Sequence, residues 1–201
     1  MSRRGLLVEL VGPIVDDRDA VRRTLADALG IAGVTVRPGA LDAVVGGTAG
    51  WALETTLGGH GRDVDAADIA TLRTTWSRAL RRELAVEAEA IDLLRRCEAA
   101  GQAVGVVASV PHDAVPDDVR PWLVPASDDD RAGAPRPDAL VHWLAARALP
   151  PAEVLGVARS PAVMLAMAGA RVGRVMRHGS ASGAEALPWD GSVASLAALR
   201  P

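Results

Sequence analysis

Apolar runs and amphipathic periods alternate along this chain. Residues 6–11, Leu-Leu-Val-Glu-Leu-Val, form a short apolar run closed by Gly12-Pro13, which predicts a buried parallel strand and then a turn. Residues 19–29 predict a helix: Val21, Leu25, Ala28 and Leu29 share one face, and Gly30 stops it. Glycines crowd residues 34–61, with one helical piece expected over 49–57. Residues 65–100 read as mostly helix with a break near 84–87. Ile69, Leu72, Trp76, Leu80 and Leu84 recur there at three and four residues, the spacing of an amphipathic face, and Trp76 is expected in the core. After Gly101 the pattern changes. Strands are expected at 104–108, 122–124, 154–157 and 171–176, with helices at 138–148 and 161–168. Strands alternating with helices predict an α/β fold with a parallel, doubly wound sheet. The helical stretch 17–87 separates the first strand from the rest. It reads as an insertion into a core made of residues 1–16 and 88–201.

Composition narrows the function classes. The 201 residues suit one domain with an insertion, and 49% hydrophobic residues suffice for a sizeable core. A net charge of −3 argues against a nucleic-acid binder held by phosphate neutralisation. No apolar run reaches the ~18 residues of a membrane span. The N-terminus resembles a signal peptide until Glu9 interrupts it and Asp16-Asp17-Arg18-Asp19 follows, so a cytoplasmic protein is expected. The lone Cys97 excludes an internal disulfide and a cysteine zinc site, and suits a reducing compartment. Lys, Asn, Phe and Tyr are absent, and all 22 basic residues are Arg. These four share AT-rich codons, which points to a high-GC bacterium. Whatever the cause, no Schiff-base or P-loop lysine and no tyrosine acid or base can exist here.

Several motifs are missing: there is no G-x-G-x-x-G after a strand, no G-x-x-x-x-G-K, no H-E-x-x-H and no C-x-x-C. Residues 179–183, Gly-Ser-Ala-Ser-Gly, have the serine one position off for a nucleophile elbow and read as a loop. Asp128-Asp129-Asp130 reads as a solvated acidic loop, and His60, His112, His142 and His178 are scattered over surface or loop positions.

Four other segments share a pattern. Residues 7–16, Leu-Val-Glu-Leu-Val-Gly-Pro-Ile-Val-Asp, resemble the first motif of haloacid dehalogenase-like (HAD) hydrolases, a strand ending in D-x-D-G-T. Val106-Val107-Ala108-Ser109-Val110-Pro111 is similar to the second motif, a strand ending in Thr or Ser. Arg136-Pro137-Asp138 is similar to the third, a basic residue before a helix start. Val157-Ala158-Arg159-Ser160-Pro161-Ala162 resembles the fourth, Glu-Asp-Ser after a strand. The resemblance implies a HAD-like Rossmannoid core with an inserted helical (C1-type) cap, as in the phosphoglycolate phosphatase and β-phosphoglucomutase branch.

In that family the first Asp attacks phosphorus, the second protonates the leaving group, and the fourth-motif acids help hold Mg²⁺. Cations must neutralise the approach of one anion to another. Here the nucleophile position is Glu9, one methylene longer, and the acid position is Val11. The second-motif hydroxyl position is Ala108, with Ser109 next to it. The third-motif cation is Arg136, and the positions of the fourth-motif acids hold Ala158 and Arg159, so a metal ligand has become a cation. The longer reach of Glu9 displaces the reacting oxygen, which can cost ~10²-fold. Loss of acid–base help costs roughly another 10²–10⁴. The expectation is a HAD-like pseudoenzyme with a degenerate site, without Mg²⁺ or another metal or cofactor. It would act by binding a small anionic ligand or a protein partner, not nucleic acid and not a membrane. The alternative is an enzyme of altered chemistry, a hydrolase or lyase using Glu9 as base or nucleophile with Arg136 and Arg159 as clamp. Gly12, Ser109, Arg136 and Arg159 are the expected anion-binding residues, and Trp51, His60 and Arg62 are expected to face the cleft from the cap. Glu9 and Arg159 are expected either as an ion pair replacing the metal or as solvated charges in an open cleft.

Overall fold

In the computed structural model the chain is described at residues 4–15, 18–35, 41, 66–125, 136–179 and 189–199. The elements, in chain order, are β1 (Gly5–Glu9), α1 (Arg18–Ile31), α2 (Ala66–Glu83), α3 (Ala88–Ala99), β2 (Ala103–Val107), α4 (Pro137–Ala146), β3 (Val154–Ala158), α5 (Pro161–Gly169), β4 (Arg174–His178) and β5 (Gly191–Val193). The five strands form one sheet in the order β2-β1-β3-β4-β5, and every pairing is parallel. The α/β class and the doubly wound sheet are therefore as expected. The helical piece at 49–57, the acidic triplet at 128–130 and the serine-rich loop at 180–183 lie outside the described residues.

The residues of β1 and β3 are buried throughout, as continuous apolar runs in a parallel sheet must be. One face carries Leu7, Val107 and Val175 against Trp143 of α4 and Met164 and Met167 of α5. The other carries Leu6, Val8, Val106 and Val157 against α1, α2 and α3 in one continuous cluster. The expected face of α1 is the buried one, with Val21, Leu25, Ala28 and Leu29 at most 2% exposed. Leu72, Trp76, Leu80 and Leu84 are buried in turn, and α2 ends where the break near residue 84 was expected. Trp76 Nε1 donates to Thr24 Oγ1 at 3.2 Å, which fastens α2 to α1.

Three elements differ from the sequence reading. Residues 122–124 do not make a third strand. Arg120–Trp122 is a 3₁₀ turn, and only a single bridge joins Leu123 to Val106. Pro121 has a fixed φ and no N–H to offer a ladder, which accounts for the turn. The strand expected at 171–176 starts at Arg174 and reaches His178. Arg171 has φ 59, and a side chain at Gly173 would meet the Ala152 carbonyl oxygen at 2.2 Å, so this stretch is a tight turn. The third is β5, three residues long and without an apolar run to announce it.

Gly105 in β2 shows how closely the α4 face is packed. A Cβ there would sit 2.7 Å from both Leu7 Cδ2 and Trp143 Cζ2. Gly105→Ala is expected to destabilise by about 1–3 kcal/mol, the usual range for overpacking. Urea unfolding measures it, and an unchanged midpoint would show that Trp143 repacks freely.

Candidate functional site

β1 pairs with β2 on one side and β3 on the other. The chain thus leaves β1 in one direction and returns on its opposite side, and such a switch point opens a crevice at the C-terminal strand ends. Glu9 is the last residue of β1, level with Val107 of β2. Ala158 ends β3 and is level with Arg177 of β4. The loops after β1, β2 and β3 converge at this edge.

Glu9 is 1% exposed. Its Oε2 accepts the backbone N–H of Arg159 at 2.7 Å and that of Ser160 at 2.8 Å. Its Oε1 accepts the Ser109 hydroxyl at 3.3 Å. Ser160 is the N-cap of α5, with Pro161 at the first helical position, and its Oγ accepts from Val163 N–H at 3.4 Å. The carboxylate therefore lies at the positive end of a helix whose first turn is already capped. Burial pushes the Glu9 carboxyl above its ordinary value of 4.5. The N–H and hydroxyl of Ser160, the N–H of Arg159 and the Ser109 hydroxyl all pull the other way without overcoming it.

The expected ion pair is not formed. Arg159 gives Glu9 its backbone N–H, and among the described residues no guanidinium pairs with this carboxylate. Nor is Glu9 solvated in an open cleft. The extra methylene carries the carboxylate onto the backbone of the β3–α5 loop, where two N–H groups satisfy it. The Arg159 side chain instead runs over Gly12: a Cβ on Gly12 would lie 2.6 Å from Arg159 Cδ and 3.0 Å from Arg159 Cβ. Gly12 has φ 107 and its N–H closes the turn on Val15 O at 2.8 Å, so glycine answers both a positive φ and a close approach there. Val11, at the resembled acid position, is buried at 4%.

Glu9, Ser109, Arg159 and Gly12 are thus brought together. Arg136 is exposed at the start of α4, with Nε 3.9 Å from Asp138 Oδ2 of its own helix, and it is not among the groups on Glu9. Trp51, His60 and Arg62 lie outside the described residues. Two residues went unrecognised in the sequence. Ser160 is signalled by Ser-Pro, an N-cap followed by proline, but its backbone contribution has no sequence signature. Arg177 is buried beside Ala158, with its guanidinium 5.3 Å from the Trp189 ring. A strand expected to stop at residue 176 leaves it out.

Among the described residues the donors around Glu9 do not make an Mg²⁺ ligand set. Hard divalent cations want several carboxylate or carbonyl oxygens. Ala158 and Arg159 stand where the resembled family has acids, and Glu9 is engaged by three donors. Among the described residues no group of three or more His, Cys, Asp or Glu could hold a metal ion. No described helix is long and apolar enough to cross a membrane.

No family model matches the sequence, and no curated protein does. Solved structures do match. A hydrolase from Pseudomonas syringae superposes with TM-score 0.80 at 15% identity, over 97% of this chain and 95% of that one. CbbY from Rhodobacter sphaeroides, in complex with phosphate, gives 0.77 at 18% identity over 98% and 96%. A HAD family hydrolase from Deinococcus radiodurans with bound phosphate and sodium gives 0.64 at 16% identity over 97% and 92%. Order of strands, crevice position and these superpositions agree: the chain has the fold of the haloacid dehalogenase-like hydrolases.

Proposed function

We infer that this protein has the HAD fold without its Mg²⁺-dependent phosphoryl transfer, and acts by binding a small anionic ligand or a protein partner at the cleft. Residues 17–87 would serve as the cap over that cleft, and the protein would work in the cytoplasm. The observation that supports this reading is the state of Glu9. An attacking carboxylate needs a free, accessible oxygen in line with phosphorus. Glu9 Oε2 is held by two N–H groups, Oε1 faces the Ser109 hydroxyl, and the side chain is buried. Val11 cannot protonate a leaving group, and the cation the reaction needs has no ligand set among the described residues.

Purified protein incubated with an aryl phosphate over a range of Mg²⁺ concentrations is expected to release no phenol above the buffer rate. Glu9→Gln should behave identically. Metal-dependent hydrolysis that disappears in Glu9→Gln would overturn the reading.

One observation favours the second reading, an enzyme of altered chemistry. Burial raises the Glu9 pKa above its ordinary value, and carboxyls shifted in this way cluster at catalytic sites. A hydrolase or lyase acting through Glu9, with Arg136 and Arg159 as clamp, would turn over a small metabolite and lose that turnover in Glu9→Gln.

A further inference from the structure

Three donors from two loops converge on one carboxylate. The Arg159 and Ser160 N–H groups come from the β3–α5 loop, and the Ser109 hydroxyl comes from the loop after β2. They lie 100 to 151 positions along the chain from the glutamate they hold. Only the side chain of Glu9 reaches them from β1. The backbone that carries these donors does not depend on the Glu9 side chain: Ser160 is held by its own N-cap bond to Val163 and by Pro161, β2 pairs with β1 over Ala103–Val107, and β3 pairs with it over Val154–Val157.

We propose that Arg159 N–H, Ser160 N–H and Ser109 Oγ form a built receptor for a small carboxylate, which Glu9 fills as an internal ligand. This deepens the functional reading above and rests on its central point, that the Glu9 carboxylate is held and not free to react. An anion arriving in the cleft would find the floor of the crevice already occupied. Remove the internal carboxylate and the receptor accepts an external one. Glu9→Ala deletes Cγ, Cδ and both oxygens. That leaves room for formate, whose two oxygens can take the places of Oε1 and Oε2, and formate lacks the methyl that would crowd the alanine.

The test compares sodium formate with sodium chloride at equal ionic strength. In Glu9→Ala, formate is expected to shift the Arg159 and Ser160 amide resonances saturably and to raise the unfolding midpoint by about 5 °C near saturation, because it binds the native state alone. Wild type and Glu9→Gln should show neither effect, since the receptor is filled in both. A Glu9→Ala protein that folds and shows no saturable shift at those two amides overturns the proposal. So does a wild type that responds to formate equally. If Glu9→Ala folds in formate but not in chloride, the proposal is supported. If it folds in neither, Glu9→Gln decides: Arg159 and Ser160 amides that exchange with solvent as freely as unbonded loop amides overturn the receptor, and amides protected as in wild type uphold it. Phosphatase turnover is a separate readout, so its appearance would defeat the functional reading while leaving formate binding to be judged by itself.

Discussion

Trp76→Ala is expected to lower the unfolding midpoint by roughly 10 °C, since truncating a buried Trp removes about 3–5 kcal/mol. Trp76 is 2% exposed and sits on α2 where it meets α1. Its indole N–H donates to Thr24 Oγ1, which itself donates to Ala20 O at 2.7 Å, so the ring is anchored at its polar end as well as packed. The apolar cluster around it runs from α1 and α2 without a break into β1, β2 and α3. Loosening it should therefore weaken the whole domain, with a single transition at a lower midpoint. Thr24→Val separates the two parts of the effect: it preserves volume, strands the indole N–H and should cost about 1–3 kcal/mol. Calorimetry of both variants checks this. A Trp76→Ala midpoint within a degree or two of wild type would mean that α2 contributes little to the core.

The pH dependence of Glu9→Gln relative to wild type is the second large effect. The folded carboxyl has its pKa raised by burial above 4.5. Below 4.5 both folded and unfolded states carry the proton, and wild type and variant differ only by their contacts. As pH rises beyond 4.5 the unfolded chain releases this proton while the native state retains it. Wild-type stability therefore falls until pH passes the folded pKa and is flat beyond. Glutamine has no such titration. Its carbonyl oxygen can accept both N–H groups, and its NH₂ can face the Ser109 hydroxyl. The stability of Glu9→Gln minus that of wild type should thus climb with pH above 4.5 and level off, each unit of pKa elevation being worth about 1.4 kcal/mol. Urea midpoints across the pH range measure the slope. A slope of opposite sign would mean that the two amides and two hydroxyls outweigh burial and that Glu9 is ionised throughout.

Much of the fold is written in short-range pattern. The apolar runs of β1, β2 and β3 and the three- and four-residue spacing of Leu72, Trp76 and Leu80 are local signals, and each marks a real element. β5 is three residues of Gly-Ser-Val whose strand character comes from pairing with β4, a tertiary cause that no local window contains. The site was legible in its members and misread in its wiring. Glu9, Ser109, Gly12 and Arg159 do meet. Charge complementarity between side chains suggested a guanidinium for Glu9, whereas the groups that satisfy it are backbone N–H donors that every non-proline residue possesses. Arg136 is visible in sequence as a basic residue at a helix start, and in the structure its Nε lies 3.9 Å from Asp138 Oδ2 and not on Glu9.

The sheet order bears on synthesis. β1 is made before both of its neighbours, which begin at Ala103 and Val154. At ribosomal rates of about 5–20 residues per second, β1 waits roughly 7–30 s for its second edge to be covered. Throughout that interval a strand apolar up to its last residue has an unpaired side, and its terminal glutamate, later buried, is hydrated and charged. The amides that receive it emerge with residues 159 and 160, so the carboxylate can enter the interior only after the β3–α5 loop has been made. Nascent chains stalled between α3 and β3 should therefore be the form most dependent on a holding chaperone, and release of that chaperone should coincide with emergence of the β3–α5 loop.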